Sequence, residues 1–227
     1  MPESNIAILA NPVSFSKKAA KIYSEIKTEL IQLNKTFTFF QKQWPQDLSE
    51  FSDVWIIGGD GTINYFINHY PYCKIPLSIF KGGTGNDFAF MLYGNISVKE
   101  QIKKIFSSEI KFVDAAFCND KLLINCAGIG FEGEILASMK TIRFIGGHVG
   151  YLLLVIKKIF FFKEYLFEIN TNGFSVKEKF LLLMIANTKR AGGGFYIAPN
   201  ASVTDGLLNL VAVKALSAVS YTHLTLP

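Results

Sequence analysis

The sequence predicts an α/β fold, with an N-terminal α/β domain built on a parallel sheet and an incomplete, sandwich-like β-rich domain after it. Three observations support this prediction. In the first half of the chain, short apolar runs alternate with amphipathic stretches. Two glycine clusters each follow an apolar run directly. After about residue 112, strand-like runs separated by turns dominate the pattern.

The first half of the chain contains four predicted strands and two predicted helices. Apolar, β-branched and aromatic runs predict strands at residues 6–10, 36–40, 54–57 and 77–80. Apolar residues at helical spacing predict a helix over 17–33, and a second helix follows the first glycine cluster at 62–69. Strands that alternate with helices favour a parallel sheet, in which ligands bind at the carboxyl ends of the strands.

The second half of the chain is predicted to be mostly antiparallel. Strand-like runs cover residues 122–126, 165–170, 180–186 and 207–213. One long helical candidate, about 132–162 with a glycine break at Gly146-Gly147, interrupts them. The resulting domain boundaries are 1–114 and 115–216, followed by a tail over 217–227.

Composition excludes several classes of protein. Half of the 227 residues are hydrophobic and 18% are charged, so the chain is not of the disordered type. The longest membrane-span candidate, 151–162, is too short and contains Lys157 and Lys158. The polar opening of the chain is unlike a signal peptide, so we expect a cytoplasmic protein.

The number of cysteines and the net charge say less about the function. Cys73, Cys118 and Cys126 are odd in number and lack a Cys-x-x-Cys spacing, which argues against a disulfide framework or a zinc site. We expect all three to be buried, inert thiols. The net charge of +5 suits an anionic partner, but it does not choose among a nucleotide, a nucleic acid and an acidic bilayer.

The first glycine cluster, Gly58-Gly59-Asp60-Gly61-Thr62, lies between a predicted strand and a predicted helix. Glycines let backbone N–H groups approach a ligand closely, and the start of a helix favours phosphate. Asp60 could reach a metal ion bound to that phosphate. A tight turn with a capping aspartate would also explain this cluster on its own.

The second cluster, Gly83-Thr84-Gly85-Asn86-Asp87, follows its own apolar run. It offers a hydroxyl, an amide and a carboxylate to a phosphate or to a metal–water network. One such cluster is an ordinary turn about as often as a site, but two of them at strand ends are hard to explain as turns. Together they predict two walls of one phosphate site.

These residues resemble the diacylglycerol kinase catalytic domain, which bacterial lipid kinases and sphingosine kinases share. The Gly-Gly-Asp-Gly-Thr-x-x-Asn and Gly-Thr-Gly-Asn-Asp-Phe-Ala motifs carry most of the resemblance. Three further segments are similar to the family in the same order: 11–14 (Asn-Pro-Val-Ser), 125–132 (Asn-Cys-Ala-Gly-Ile-Gly-Phe-Glu) and 191–208, with its triple glycine and its Asp-Gly-Leu-Leu. The five segments cover roughly residues 6–213, and they imply the NAD kinase/diacylglycerol kinase fold.

The resemblance also implies site residues. With the loop chemistry above, it predicts a nucleotide site made by Asn11, Gly58, Gly59, Asp60, Gly61, Thr62, Ile63, Asn64, Gly83, Thr84, Gly85, Asn86 and Asp87. Asp60 would be the catalytic residue and act through the metal-bound nucleotide. A structural Mg²⁺ would be held by the carbonyls of Ser202 and Leu207 and the carboxylate of Asp205, since Mg²⁺ prefers oxygen ligands.

The implied activity is transfer of the γ-phosphate of ATP, with Mg²⁺, to the hydroxyl of diacylglycerol or a related lipid. The expected partners are ATP and the lipid, with no nucleic acid, and a homodimer is compatible with the resemblance. An NAD kinase shares the first glycine loop but lacks the second. A nucleotide-binding module without catalysis is the other alternative.

Membrane contact is an expectation of its own. Arg143, Lys157, Lys158 and Lys163 lie near the aromatic-rich segment 151–162. This segment is either a basic face that rests on the anionic inner membrane surface or a core helix with solvated lysines.

Several positions depart from the family pattern. Phe15, Tyr65, Lys81, Phe90 and Glu132 stand where glycine, glutamate, proline, a basic residue and aspartate are usual. We hypothesise that Lys81 adds a charge near the nucleotide.

The end of the chain departs most from the family pattern. The similarity fades after about Val213, and the late Asp-Gly-Glu segment, whose glutamate is thought to be the general base, is absent. We therefore expect a truncated or misread reading frame with a non-native tail at 217–227, poor nucleotide binding and little turnover.

Overall fold

The computed structural model describes residues 5–11, 16–130, 133, 164–171 and 173–214. The chain divides into two compact units, and each of them is discontinuous in sequence. The first unit contains 1–125 and 187–207, and the second contains 126–186 and 208–227. The domain boundaries given above stay a prediction, and the units show in addition that residues 187–207 return to the first unit.

The described residues form thirteen strands and four helices. The strands are β1 (Asn5–Ala10), β2 (Thr36–Phe40), β3 (Asp53–Gly58), β4 (Leu77–Lys81), β5 (Ala116–Cys118), β6 (Lys121–Leu123), β7 (Cys126–Gly130), β8 (Tyr165–Thr171), β9 (Phe174–Phe180), β10 (Leu182–Ala186), β11 (Arg190–Ala191), β12 (Phe195–Tyr196) and β13 (Asn209–Val213). The helices are α1 (Lys17–Gln32), α2 (Asp60–His69), α3 (Asp87–Tyr93) and α4 (Val98–Ser107).

The first unit is built on a four-stranded parallel sheet in the order β2-β1-β3-β4. Its central strands are apolar at nearly every position because helices and loops cover both faces. One face packs Trp55 and its neighbours against α1 and α4, and the other packs Ile56 against Phe66 of α2. All parallel strands end at the same edge, so the loops that follow β1, β3 and β4 emerge together.

Local sequence signals set the helix starts. Ser16 caps α1 because its Oγ accepts a hydrogen bond from the Ala19 N–H at 3.2 Å. Ser97 and Glu100 form a reciprocal capping box at the start of α4. α2 starts from Gly59 without a side-chain cap, which leaves the N–H groups of its first turn at the strand edge.

Short hairpins complete the first unit. β5 and β6 pair in antiparallel fashion and contact α2 through Asn68, whose side chain bonds the main chain of Leu122 in both directions. β11 and β12 flank the triple glycine and pair through Arg190–Tyr196 and Ala191–Phe195.

The second unit contains two antiparallel assemblies among its described residues. One is a three-stranded sheet in the order β13-β10-β7, and the other is the β8–β9 hairpin. The predicted β-rich character of this region is confirmed.

Several element boundaries differ from the predictions. The run predicted as one strand over 180–186 is divided at Leu181 between β9 and β10, and the run over 122–126 is divided between β6 and β7. The prediction missed α3, which begins at the last residue of the second glycine cluster, and α4 after it. It also missed most of β9, which contains few apolar residues.

The expectation of three buried thiols is wrong. Cys118 is exposed, and Cys73 and Cys126 are half-buried. Cys118 ends β5, the first strand of a two-stranded hairpin.

The long helical candidate and the basic segment with Arg143, Lys157, Lys158 and Lys163 lie outside the described residues, apart from Gly133. Among the helices that are described, none combines the length and apolar character that crossing a membrane requires.

Candidate functional site

The two glycine clusters lie side by side at the carboxyl edge of the parallel sheet. β3 and β4 are neighbours, and Gly58 pairs with Lys81 in the register. One residue further along the chain, the Gly82 N–H donates to the Gly58 carbonyl at 3.0 Å. The ladder therefore continues into the loops and holds them together.

Contact between the loops is so close that it requires glycine. A Cβ on Gly83 would lie 2.5 Å from the Gly59 Cα, and a Cβ on Gly59 would lie 3.1 Å from the Gly83 Cα. Backbone packs directly against backbone here, and any side chain would separate the loops. A Cβ on Gly61, in contrast, would meet nothing within 4 Å, so this part of the first loop faces open space.

The first loop is tied to the end of β1. The Asn11 side-chain amide donates to the Thr62 Oγ1 at 3.0 Å. Thr62 is buried, and it packs so tightly against Gly58 that a Cβ there would lie 2.4 Å from the Thr62 Cβ. Three predicted site residues therefore form one rigid corner at the start of α2.

Asp60 joins the two loops. Its carboxylate accepts hydrogen bonds from the main-chain N–H groups of Asp87 at 3.1 Å and Phe88 at 2.9 Å, at the start of α3. The Asn125 side-chain amide donates to the same carboxylate at 3.3 Å. A carboxylate at a helix N-terminus is favoured by the helix dipole, so Asp60 acts as an external cap for α3.

Asn86 closes the second loop on itself. Its side chain accepts from the Gly83 N–H and donates to the Gly83 carbonyl, both at 2.8 Å. Its φ of +55° lies in the left-handed region, which asparagine tolerates better than most residues. The Asn86 amide is thus directed at the loop backbone.

Asp87 is a buried carboxylate with a buried partner. It is 2% exposed and accepts from the Gly193 N–H at 2.7 Å, and its Oδ1 lies 3.4 Å from an Arg190 guanidinium nitrogen. Burial raises the pKa of Asp87, with the nearby Asp60 adding to that rise, while the Gly193 N–H and Arg190 oppose it. Arg190 also lies over the Phe90 ring, 3.8 Å from its centroid.

The triple-glycine segment meets the second loop through these contacts. Gly193 has a φ of +87°, and a Cβ on Gly85 would lie 3.4 Å from the Gly193 Cα. Next to it, the Thr188 hydroxyl donates to the Asn125 Oδ1 and contacts the Arg190 carbonyl. Segments 58–64, 83–87, 125 and 188–194, far apart in sequence, thus form one polar network.

The other predicted nucleotide-site residues differ in what they present. Ile63 is 1% exposed and lies in the core, so it can offer a ligand its main chain but not its side chain. Asn64, on α2, and Thr84, in the second loop, are exposed. Lys81 points away from the loop toward the Gly94 carbonyl, and its ammonium lies 5.3 Å from the Phe90 ring centroid.

Sequence reasoning missed Arg190 and Lys18. Lys18, on the first turn of α1, donates to the Gly83 carbonyl at 3.1 Å. Arg190 could have been found from its position one residue before the Ala-Gly-Gly-Gly segment. No sequence signal distinguished Lys18 from the other lysines of α1.

The predicted metal ligands share one exposed turn. The Leu207 N–H donates to Asp205 Oδ1 at 3.0 Å, and Gly206 has a φ of +71°. The Gly206 N–H donates to Asp114 Oδ2 at 2.7 Å, which fixes the turn and adds a second carboxylate. Carboxylate and carbonyl oxygens are ligands that Mg²⁺ accepts, so the donor set fits this ion. Among the described residues, no three His, Cys, Asp or Glu side chains cluster as a metal site, but the predicted set relies on carbonyls.

This fold, with glycine loops paired at the sheet edge, defines a family. A sequence profile of the diacylglycerol kinase catalytic domain matches residues 5–118, and a profile of the YegS C-terminal NAD kinase beta sandwich-like domain matches residues 125–225. The chain belongs to the diacylglycerol kinase catalytic domain family.

Individual relatives agree with this assignment. The chain is 30% identical over 171 residues to a "Probable lipid kinase YegS-like" of Shewanella frigidimarina, a match that covers 72% of this chain and 55% of the relative. It is 32% identical over 159 residues to a protein of the same name from Enterobacter, covering 67% of this chain and 53% of that one. The chain thus spans little more than half the length of these curated relatives.

Solved structures share the fold. The chain is similar to a diacylglycerol kinase from Bacillus anthracis, with a TM-score of 0.71 and 22% identity over 97% of this chain and 77% of that one. An NAD kinase from Archaeoglobus fulgidus, solved with ATP, is less similar, with a TM-score of 0.50 and 16% identity over 93% of this chain and 72% of that one. The predicted NAD kinase/diacylglycerol kinase fold is confirmed.

Proposed function

We propose that this protein takes part in ATP-dependent phosphorylation of a lipid hydroxyl, with diacylglycerol or a related lipid as the acceptor. The backbone contact between Gly59 and Gly83 carries the proposal. It brings two loops rich in main-chain N–H groups to one edge of the sheet, next to the uncapped start of α2. Main-chain N–H groups at a helix N-terminus favour phosphate.

The role proposed for each loop follows from what it exposes. Gly61 faces open space and Thr84 presents an exposed hydroxyl, so a polyphosphate could lie between them. Asn11, Thr62 and Asn86 would instead hold the loops in shape, because their side chains are already bonded within the site. Phosphoryl transfer depends mainly on positioning and charge stabilisation, which such rigid loops supply.

Asp60 is the proposed catalytic residue. A carboxylate has about four acceptor positions, and three hydrogen bonds from Asp87, Phe88 and Asn125 occupy three of them. The remaining position can accept from a water molecule of the hydrated metal–nucleotide complex. The negative charge of Asp60 would thereby orient the nucleotide, while the three hydrogen bonds to its carboxylate keep the loops together.

Mg²⁺ would be held in the first unit by the carbonyls of Ser202 and Leu207 and the carboxylate of Asp205. There the ion would supply positive charge that stiffens an exposed turn. Asp114 holds that turn by accepting from the Gly206 N–H, which supports the turn as a place for the ion.

The proposed acceptor is a lipid at a membrane surface. Relatives bear the name of lipid kinases, which supports a lipid acceptor, and an anionic membrane surface is the proposed place of reaction. We assign no general base.

A binding and transfer experiment tests the proposal. ATP is titrated into the purified protein by calorimetry with and without Mg²⁺, and transfer of labelled γ-phosphate is followed to diacylglycerol in mixed micelles and to NAD. Asp60→Asn should lower transfer by about 100-fold or more. Asp53→Asn, at the opposite end of β3, is the matched control and should leave transfer unchanged.

The outcomes separate the alternatives. Label in the lipid supports the proposal, while label in NAD replaces it with an NAD kinase activity. Binding of ATP without transfer to either acceptor would indicate a nucleotide-binding module. No binding of ATP at millimolar concentration would overturn the nucleotide site itself.

A further inference from the structure

Lys18 reaches across the candidate phosphate site. It lies on the first turn of α1, which follows β1, and its ammonium donates to the carbonyl of Gly83, in the loop that follows β4. β3 lies between β1 and β4 in the sheet. Lys18 therefore links the helix that follows β1 to the loop that follows β4, two strands away in the sheet.

The attachment of Lys18 is weak compared with that of its cationic neighbours. Arg190 pairs with buried Asp87 and stacks on Phe90, and Lys81 bonds Gly94 beside the same ring. Lys18 is exposed and, among the described residues, makes one hydrogen bond, to a neutral carbonyl. An ammonium carries three donors, so at least one further acceptor can be accommodated.

Positive charge is concentrated around the second loop. Burial lowers the pKa of Lys81, and repulsion by the charges of Arg190 and Lys18 lowers it further. The nearby carboxylates of Asp60 and Asp87 are engaged by main-chain N–H groups. An anion arriving at the loops would relieve this repulsion.

We infer that Lys18 is a phosphate-binding residue that leaves the Gly83 carbonyl for the terminal phosphate of a nucleoside triphosphate. A phosphate oxygen carries negative charge, which attracts the Lys18 ammonium more strongly than the neutral Gly83 carbonyl does, so the exchange favours phosphate. Lys18 would thus distinguish nucleotides by the length of their phosphate chain. This inference rests on the proposed function, because it needs a nucleotide at the glycine loops.

The test compares nucleotides that differ only in phosphate number. Dissociation constants of ATP and AMP are measured by calorimetry for the unmodified protein, Lys18→Ala and Lys18→Gln. Lys21→Ala is the control, since Lys21 is exposed one turn further along α1 and faces Glu25 at 4.0 Å. Thermal unfolding of each variant is recorded beside the titrations.

We expect Lys18→Ala to weaken ATP binding by about tenfold or more and AMP binding by less than about twofold. Lys18→Gln can still donate to Gly83 but carries no charge, so it should behave like the alanine variant. Lys21→Ala should bind both nucleotides normally.

Three results would overturn the inference. The first is an unchanged affinity of Lys18→Ala for ATP. The second is an equal loss of affinity for ATP and AMP in Lys18→Ala, and the third is normal ATP affinity in Lys18→Gln. The second and third results would mean that Lys18 only holds the loop in place. If the unmodified protein binds neither nucleotide, the proposed function fails, and this inference fails with it.

Discussion

The carboxylate of Asp60 accepts a hydrogen bond from the main-chain N–H of Asp87 at 3.1 Å. This contact joins the two glycine loops through a side chain, in addition to the backbone contact between them. The same Asp87 turns its own carboxylate toward Gly193 and Arg190. Two acidic residues thus form consecutive links from the first loop to the triple-glycine turn.

The first prediction concerns Asp60 as a cap. Asp60→Ala removes the acceptor at the start of α3, and it should lower the free energy of unfolding by about 1–2 kcal/mol. Asp60→Asn keeps one oxygen acceptor and should lose less than half as much. Urea unfolding measures both variants. Asp120→Ala, in an exposed hairpin turn, is the control, and equal stability of Asp60→Ala and the unmodified protein would contradict the prediction.

The second prediction compares two glycines of the loops. Gly83→Ala forces a methyl group to 2.5 Å from the Gly59 Cα, so it should lower the free energy of unfolding by about 1–3 kcal/mol. Gly61→Ala meets nothing within 4 Å and lies in the first turn of α2, so it should stabilise the protein by up to about 1 kcal/mol.

ATP affinity completes this comparison. Both substitutions should weaken ATP binding, the first by separating the loops and the second by placing a methyl group where a phosphate would lie. Normal ATP affinity in Gly61→Ala would mean that the nucleotide does not approach α2 at this point.

The third prediction concerns the left-handed conformation of Asn86. Asn86→Gly keeps the φ of +55° at low cost but loses the two hydrogen bonds to Gly83. Asn86→Ala loses the same bonds and adds strain of about 1 kcal/mol. In chemical unfolding, the unmodified protein should therefore have the highest free energy of unfolding, Asn86→Gly a lower one and Asn86→Ala the lowest. Equal stability of the two variants would show that the conformation costs nothing here.

The fourth prediction is a pH dependence. The pKa of Asp87 is raised in the folded state, mainly by burial, so the folded protein holds this proton more tightly than the unfolded chain does. The contribution of Asp87 to stability therefore falls as the pH rises from the ordinary carboxyl pKa of 3.8 through the raised value.

Asp87→Asn isolates this effect. The variant leaves Arg190 without its carboxylate, but the guanidinium does not titrate, so that cost is the same at every pH. The stability of the unmodified protein minus that of Asp87→Asn should decrease with rising pH in this window. Urea unfolding across the acidic range measures it, and a constant or growing difference would refute the prediction.

The sequence predicted the architecture of the first unit well because its strands are uniformly apolar and end in glycine clusters. Sequence reasoning did not find α3 and α4. α3 is only seven residues long and starts inside the glycine motif, where loop chemistry hides the helix. α4 is amphipathic and begins with the Ser97–Glu100 capping box, a signal that was present and overlooked.

The composition of the candidate site was predictable, but the orientation of its side chains was not. Asp60 and Asn86 were both recognised as polar residues of the loops. Asp60 caps α3, and Asn86 bonds the main chain of Gly83. Both contacts depend on the direction of the backbone in the loops, which the spacing of residues in the sequence does not reveal. Lys18 became visible only through its contact with Gly83, 65 residues further along the chain. Arg190 had a sequence signal in its position before the triple glycine, but its pairing with Asp87, across 103 residues, had none.

The bond between Asp87 and Gly193 spans 106 residues, and this distance has a consequence for biosynthesis. Ribosomes deliver the glycine loops long before the turn that neutralises Asp87, and non-local contacts of this kind slow folding. Nascent chains that stop before Arg190 would carry the Asp87 carboxylate without its counterion. We therefore expect such intermediates to depend on chaperones until the returning segment has left the exit tunnel.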